Sequence, residues 1–237
     1  MFDNFLPTGN IGMWFMEKLI RVFCLLICLT VHEFSHGYVA YKLGDDTAKL
    51  SGRLTLNPLP HIDIVGALCM LLTPFGWAKP VPVNPRNFTR KVTMRTGMAI
   101  TAVAGPLSNL ILSFFSMLIF VTLVNFNFIA GLQPSIQNAL KLIFQNLIFL
   151  NIGLALFNLI PIPPLDGSKI LGAFLSSKAF YKYIQIERYG FVILILIINT
   201  PLVNQILYSA LLGIVTLYTN IISLVPIFRE AVRLIFR

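Results

Sequence analysis

The chain has 237 residues and a mass of 26.6 kDa; 57% of its residues are apolar and only 11% charged, against roughly 25% charged in a soluble domain. That balance excludes a disordered chain, a collagen-like repeat and a large water-soluble domain, and it reads as an integral membrane protein. Eighteen Lys and Arg against nine Asp and Glu give a net charge of +9, but the cations lie between apolar runs rather than in one stripe, which fits loops beside anionic lipid and not a nucleic-acid surface.

A spanning helix needs about 20 predominantly apolar residues. Five stretches meet or approach that requirement: 13–41, 98–124, 140–159, 189–199 with its preceding turn, and 202–225. A sixth, 62–77, is shorter and carries Asp63 and Pro74, so it reads as re-entrant or interfacial rather than spanning. The predicted fold is therefore an all-α polytopic membrane protein of five to six transmembrane helices. A short re-entrant segment and a small β element complete it, the latter suggested by the alternation Leu50, Gly52, Leu54, Leu56. The whole of 1–237 reads as one integral-membrane domain, with a core at about 20–170 and C-terminal helices at about 185–225.

Loop charge gives the orientation. Lys79, Arg86, Arg90, Lys91 and Arg95 stand in a stretch without acids, whereas 125–137 and 199–205 carry no charge. The positive-inside rule places the first group in the cytoplasm together with Lys169, Lys178, Lys182, Arg188 and the C-terminal arginines Arg229, Arg233 and Arg237. The N-terminus lacks a short basic region followed by a small-residue cleavage site, so the first helix is expected to be permanent. Cys24, Cys28 and Cys69 all lie in apolar runs and do not suggest a disulfide framework.

The chemistry is concentrated in His32, Glu33, Phe34, Ser35, His36, within an apolar run. Side chains four apart share a helix face, so two imidazoles can grip one metal ion while Glu33 lies close enough to act on a bound water. Ionisable groups are costly in a spanning segment, and three together usually mark function. A hydrolytic metal site normally has three protein ligands. Asp166 is a candidate third, because Pro161, Pro163 and Pro164 end the preceding helix and let the chain turn a carboxylate inward. A helix-capping role is its competing reading. Cys24 and Cys28 drift off the histidine face and read as packing, and His61 reads as a polar residue near the site entrance rather than a ligand.

These residues resemble the site-2 proteases, zinc metalloproteases that cut within or beside transmembrane helices. His32 to His36, the run Ala104-Gly105-Pro106-Leu107-Ser108-Asn109, and Asn158 to Gly167 are similar to that family's three signature regions in order and spacing. The stretch Gly76 to Phe88 is similar to one found in its small bacterial and archaeal members, so the resemblance covers about 23–199. It implies Zn2+ held by His32, His36 and Asp166, Glu33 as general acid and base, and Asn158 as an oxyanion donor. It further implies single-span membrane proteins as substrates and a site toward the cytoplasmic side of a prokaryotic cytoplasmic membrane.

The PDZ and CBS domains and the extra first helix of larger members have no counterpart in these 237 residues, and Ile64 stands where a proline is expected after His-Ile-Asp. Ala104 and Ser108 read as small-residue helix packing, with Gly105-Pro106 bending the backbone. The weak strand at 49–57 is expected to receive an extended substrate by strand addition. Two other functions compete: a non-proteolytic zinc-binding membrane adaptor, for which Glu33 has no use, and an ion transporter, for which internal repeats are missing.

Overall fold

The computed structural model describes residues 11–72, 76–89 and 92–235. Pro74, Arg90, Lys91 and Arg237 of the sequence argument lie outside these residues. In chain order the helices are α1 (Ile11–Lys42), α2 (Thr47–Leu50), α3 (Ile64–Leu72), α4 (Met94–Asn125), α5 (Pro134–Asn158), α6 (Asp166–Phe174), α7 (Ser177–Ile184), α8 (Glu187–Ile198), α9 (Pro201–Ser223) and α10 (Arg229–Ile235).

Local chemistry sets several boundaries. Thr93 caps α4 by accepting from the Thr96 N–H at 3.1 Å, and Thr200 caps α9 by accepting from the Val203 N–H at 3.4 Å, with Pro201 at the first helical position. The first turn of α5 is opened by Pro134, and the helix stops at Asn158, just ahead of the three prolines.

α4 is the central element. Gly97, Thr101, Gly105, Asn109, Ser113 and Ser116 are all buried along one of its faces, and these small or short side chains let α1 and α5 approach its backbone closely. At the far end, Met117, Phe120, Val121, Ile148, Ile152, Tyr218 and Ile222 form the apolar core joining α4, α5 and α9. Phe120 stacks on Phe144, and the Tyr218 hydroxyl donates to Leu110 O at 2.9 Å.

The all-α membrane architecture is as predicted, with refinements. α4, α5 and α9 are long and apolar enough to cross a membrane. α1 is 32 residues long, but its apolar run contains the His32–His36 group. α8 has only 12 residues and rises about 18 Å, well short of a hydrocarbon layer of about 30 Å.

The two ends of the segment 62–77 are neighbours: Ile62 pairs with Ala78 in an antiparallel bridge, and Lys79 N–H donates to His61 O at 2.9 Å. That bridge is the only β pairing among the described residues. The strand expected at 49–57 is not formed. Residues 47–50 make a helical turn instead, and Gly52, at a φ of 68° that suits glycine, closes it. Arg53 then turns inward to donate to Lys79 O at 2.6 Å and Pro80 O at 3.2 Å.

Candidate metal centre

The i, i+4 spacing on α1 places both imidazoles against α4. His32 Nε2 and His36 Nε2 are 3.0 Å apart, and each lies 3.1 Å from Asp166 Oδ2. The three side chains come from α1 and from the first residue of α6, and all are buried. The proline turn thus delivers the carboxylate as the sequence requires, and its oxygens face the imidazoles and Lys169 rather than capping α6, whose N-cap is Leu165 without a side-chain cap bond.

The tautomers follow from the neighbours. His36 Nδ1 is 2.7 Å from Thr101 O, which can only accept, so Nδ1 carries the proton and donates. His32 Nδ1 is 2.6 Å from Asn109 Oδ1 and likewise donates. In the neutral rings both Nε2 atoms therefore present bare lone pairs, aimed at each other and at a carboxylate oxygen. Three acceptors converging at 3.0–3.1 Å repel unless a cation stands between them. The second oxygen, Asp166 Oδ1, accepts from Lys169 Nζ at 3.1 Å, one turn along α6. That leaves Oδ2 as the oxygen facing the two rings.

Gly105 is what allows the rings to lie on α4. A Cβ at this position would stand 2.5 Å from His36 Cε1 and Nε2 and 2.6 Å from His32 Cε1. Its role is therefore clearance for the imidazoles, and α4 runs through Gly105 and Pro106 as one helix.

Glu33, beside the first histidine, has its carboxylate held from the loop side: Oε2 accepts from the Val81 N–H at 2.7 Å. The loop is itself pinned. Asp45, fully buried at the end of α1, accepts from Asn84 N–H at 2.7 Å, from Asn87 Nδ2 at 2.8 Å and from both the N–H and hydroxyl of Thr47. Burial alone would raise the Asp45 carboxyl, but these donors outweigh it and hold it below the usual carboxylate range.

Other candidates stand apart from the triangle. Asn158 Nδ2 donates to Leu154 O at 3.0 Å, back along its own helix. Cys24 and Cys28 are buried packing groups, with Cys24 Sγ 3.7 Å from Ile143 O. His61 is buried and donates through Nε2 to Thr55 O at 2.9 Å. Asn109, Gly105, Lys169 and Val81 are contacts of the site that spacing along the chain does not single out, because each depends on how two elements pack.

Residues 128–198, which include Asn158 and Asp166, match the family described as peptidase family M50. The chain is 40% identical over 190 residues to the provisionally named zinc metalloprotease YwhC of Bacillus subtilis, covering 80% of this chain and 84% of that one. It is 27% identical over 209 residues to the provisionally named zinc metalloprotease Rip2 of Mycolicibacterium smegmatis, covering 86% and 74%. No solved structure matches significantly. The buried His-His-Asp triangle and the extent of these matches agree with the resemblance read from the motifs, and the chain belongs to peptidase family M50, the site-2 protease family.

Proposed function

We propose that this chain is a zinc-dependent endopeptidase of the membrane interior, cutting single-span membrane proteins within or beside their transmembrane segments, with its site toward the cytoplasmic side. The observation that carries the reading is the buried triangle of His32 Nε2, His36 Nε2 and Asp166 Oδ2 with edges of 3.0–3.1 Å. A zinc ion held by these three donors would need only a small opening of the triangle. Two imidazole nitrogens and one carboxylate oxygen form a three-ligand hydrolytic donor set, as the names of the relatives suggest for those proteins.

When bound by His32, His36 and Asp166, zinc would supply the Lewis acidity that acidifies a water and polarises a peptide carbonyl. Glu33 takes a proton from the attacking water and returns it to the leaving amine, its carboxylate oriented by the Val81 N–H. Asn158 is the oxyanion donor in this reading. Only one of its two amide hydrogens is engaged, at Leu154 O, and the other remains to be donated. A helical substrate hides its carbonyls in its own hydrogen bonds, so the cut bond is expected near helix-breaking residues.

The test compares the purified wild-type chain with Glu33→Gln against single-span membrane proteins, reading new termini by mass spectrometry and metal by elemental analysis. The expected result is one zinc per chain in both forms and new termini only with the wild type. Equal cutting by both forms, or a wild type without zinc, rejects the proposal.

A further inference from the structure

We infer that Asn109 and Asn151 are positioning residues of the metal centre: a relay of hydrogen bonds across three helices that fixes which nitrogen of His32 carries the proton. The inference rests on the metalloprotease reading for its purpose but on geometry alone for its existence. Two backbone carbonyls set the direction of the relay. On α5, Asn151 Nδ2 donates to Leu147 O at 2.6 Å, and a carbonyl can only accept, so Asn151 must turn its Oδ1 outward. That oxygen accepts from Asn109 Nδ2 on α4 at 2.6 Å. The same Nδ2 donates to Cys28 O on α1 at 3.0 Å, one turn before His32.

With both amide hydrogens so placed, Asn109 can offer His32 only its Oδ1, which lies 2.6 Å from Nδ1. His32 must then protonate Nδ1 and leave Nε2 bare toward Asp166. Reversing the Asn109 amide would place its N–H groups against Nδ1, move the ring proton to Nε2 and remove the ligand lone pair. Asn109 and Asn151 are both fully buried, so no water competes for these bonds.

The two histidines differ in this respect. His36 is fixed by the backbone oxygen of Thr101, which no substitution changes, whereas His32 depends on two side chains. An amide pair in the membrane interior is costly to bury unless each polar group is satisfied, and here every donor and acceptor named has its partner. The pair also explains why the small-residue face of α4 includes an asparagine at this level. It is the acceptor that α1 needs, held in place by α5.

The experiment uses the full-length chain in detergent, labelled with 15N-histidine. The chain has three histidines, so the ring signals are few. In the chelator-treated wild type, His32 and His36 are both expected to carry the proton on Nδ1. In Asn109→Leu, His32 loses that preference and zinc binding, measured by competition with a chelator, weakens by about 10–100-fold.

Asn151→Leu is expected to weaken zinc by a smaller factor, and the double variant to be no worse than Asn109→Leu alone, because Asn151 acts through Asn109. Asn109→Asp keeps an acceptor at His32 Nδ1 but loses the N–H groups that Asn151 Oδ1 and Cys28 O accept, so His32 is expected to keep its Nδ1 proton in this variant. His36 serves as the internal control: its Nδ1 proton should persist in every variant that is folded. If Asn109→Leu does not fold, the wild-type signals and Asn151→Leu still decide.

His32 protonated on Nε2 in the wild type overturns the inference, as does unchanged zinc affinity in Asn109→Leu or simple additivity of the two leucine variants. A chain that shows the relay but cuts no substrate leaves the inference standing and removes the protease reading. A chain that cuts substrate with a His32 tautomer indifferent to Asn109 does the reverse.

Discussion

Adding one methyl group at Gly105 is expected to empty the metal centre while sparing the fold. In Gly105→Ala the new Cβ would sit 2.5 Å from His36 Cε1 and Nε2 and 2.6 Å from His32 Cε1. Non-bonded carbons rest about 3.5–4.0 Å apart, so each ring must retreat by about 1 Å. Metal bonds tolerate about 0.2 Å, so two of the three ligands leave bonding range together. Two smaller effects act on the unliganded fold in opposite directions. Alanine gains about 1 kcal/mol over glycine inside a helix, and overpacking costs about 1–3 kcal/mol, so the apo melting temperature should move little. Zinc affinity should instead fall by at least about 100-fold, equivalent to about 2.8 kcal/mol. Elemental analysis and chelator competition measure the binding, and thermal unfolding of the apo forms measures the fold. A variant that keeps one zinc per chain with affinity within about threefold of wild type would refute the clearance argument.

Three other substitutions probe the surroundings. Asn158→Ala should retain zinc and lower kcat by about 10²–10³-fold, the usual loss for an oxyanion donor; an unchanged kcat removes Asn158 from the mechanism. Val81→Pro deletes the N–H that donates to Glu33 Oε2 and should lower kcat roughly tenfold with zinc unchanged, measured on the same substrate as the wild type. The Asp45 carboxyl, held below its ordinary range by Thr47, Asn84 and Asn87, contributes stability that is full above about pH 4 and is lost as pH falls through its lower folded value. The loop at 79–89 should therefore resist an acid-tolerant protease at about pH 4 and above and become progressively more susceptible as pH falls further. Asp45→Asn should yield already at neutral pH, and equal resistance in that variant would show that another contact holds the loop.

The parts of the site that follow from periodicity were legible in the sequence. His32 and His36 share a face because the helix has 3.6 residues per turn, and Asp166 turns inward because three prolines cannot continue α5. What depended on the register between helices was not legible. Gly105 and Asn109 stand in a run that resembles a family signature, but what each does is hidden until α1 is laid against α4, and Lys169 looks like a loop cation until Asp166 is placed. The alternation at 50–56 misled because its glycine closes a helical turn, so Leu50 points to the surface and Arg53 to the interior. The short element read at 189–199 is present as α8, whose 12 residues fall short of a spanning length.

The reaction proposed for this buried site consumes water, which apolar surroundings disfavour. Lys169 bears on that difficulty: its ammonium touches Asp166 Oδ1 at 3.1 Å while its side chain is 41% exposed. An ammonium retains its hydration strongly, so Lys169 ties the buried Asp166 carboxylate to the solvent-facing surface. On the proposed protease reading, this polar link lets water approach without parting the helices and leaves any opening motion to admit the peptide.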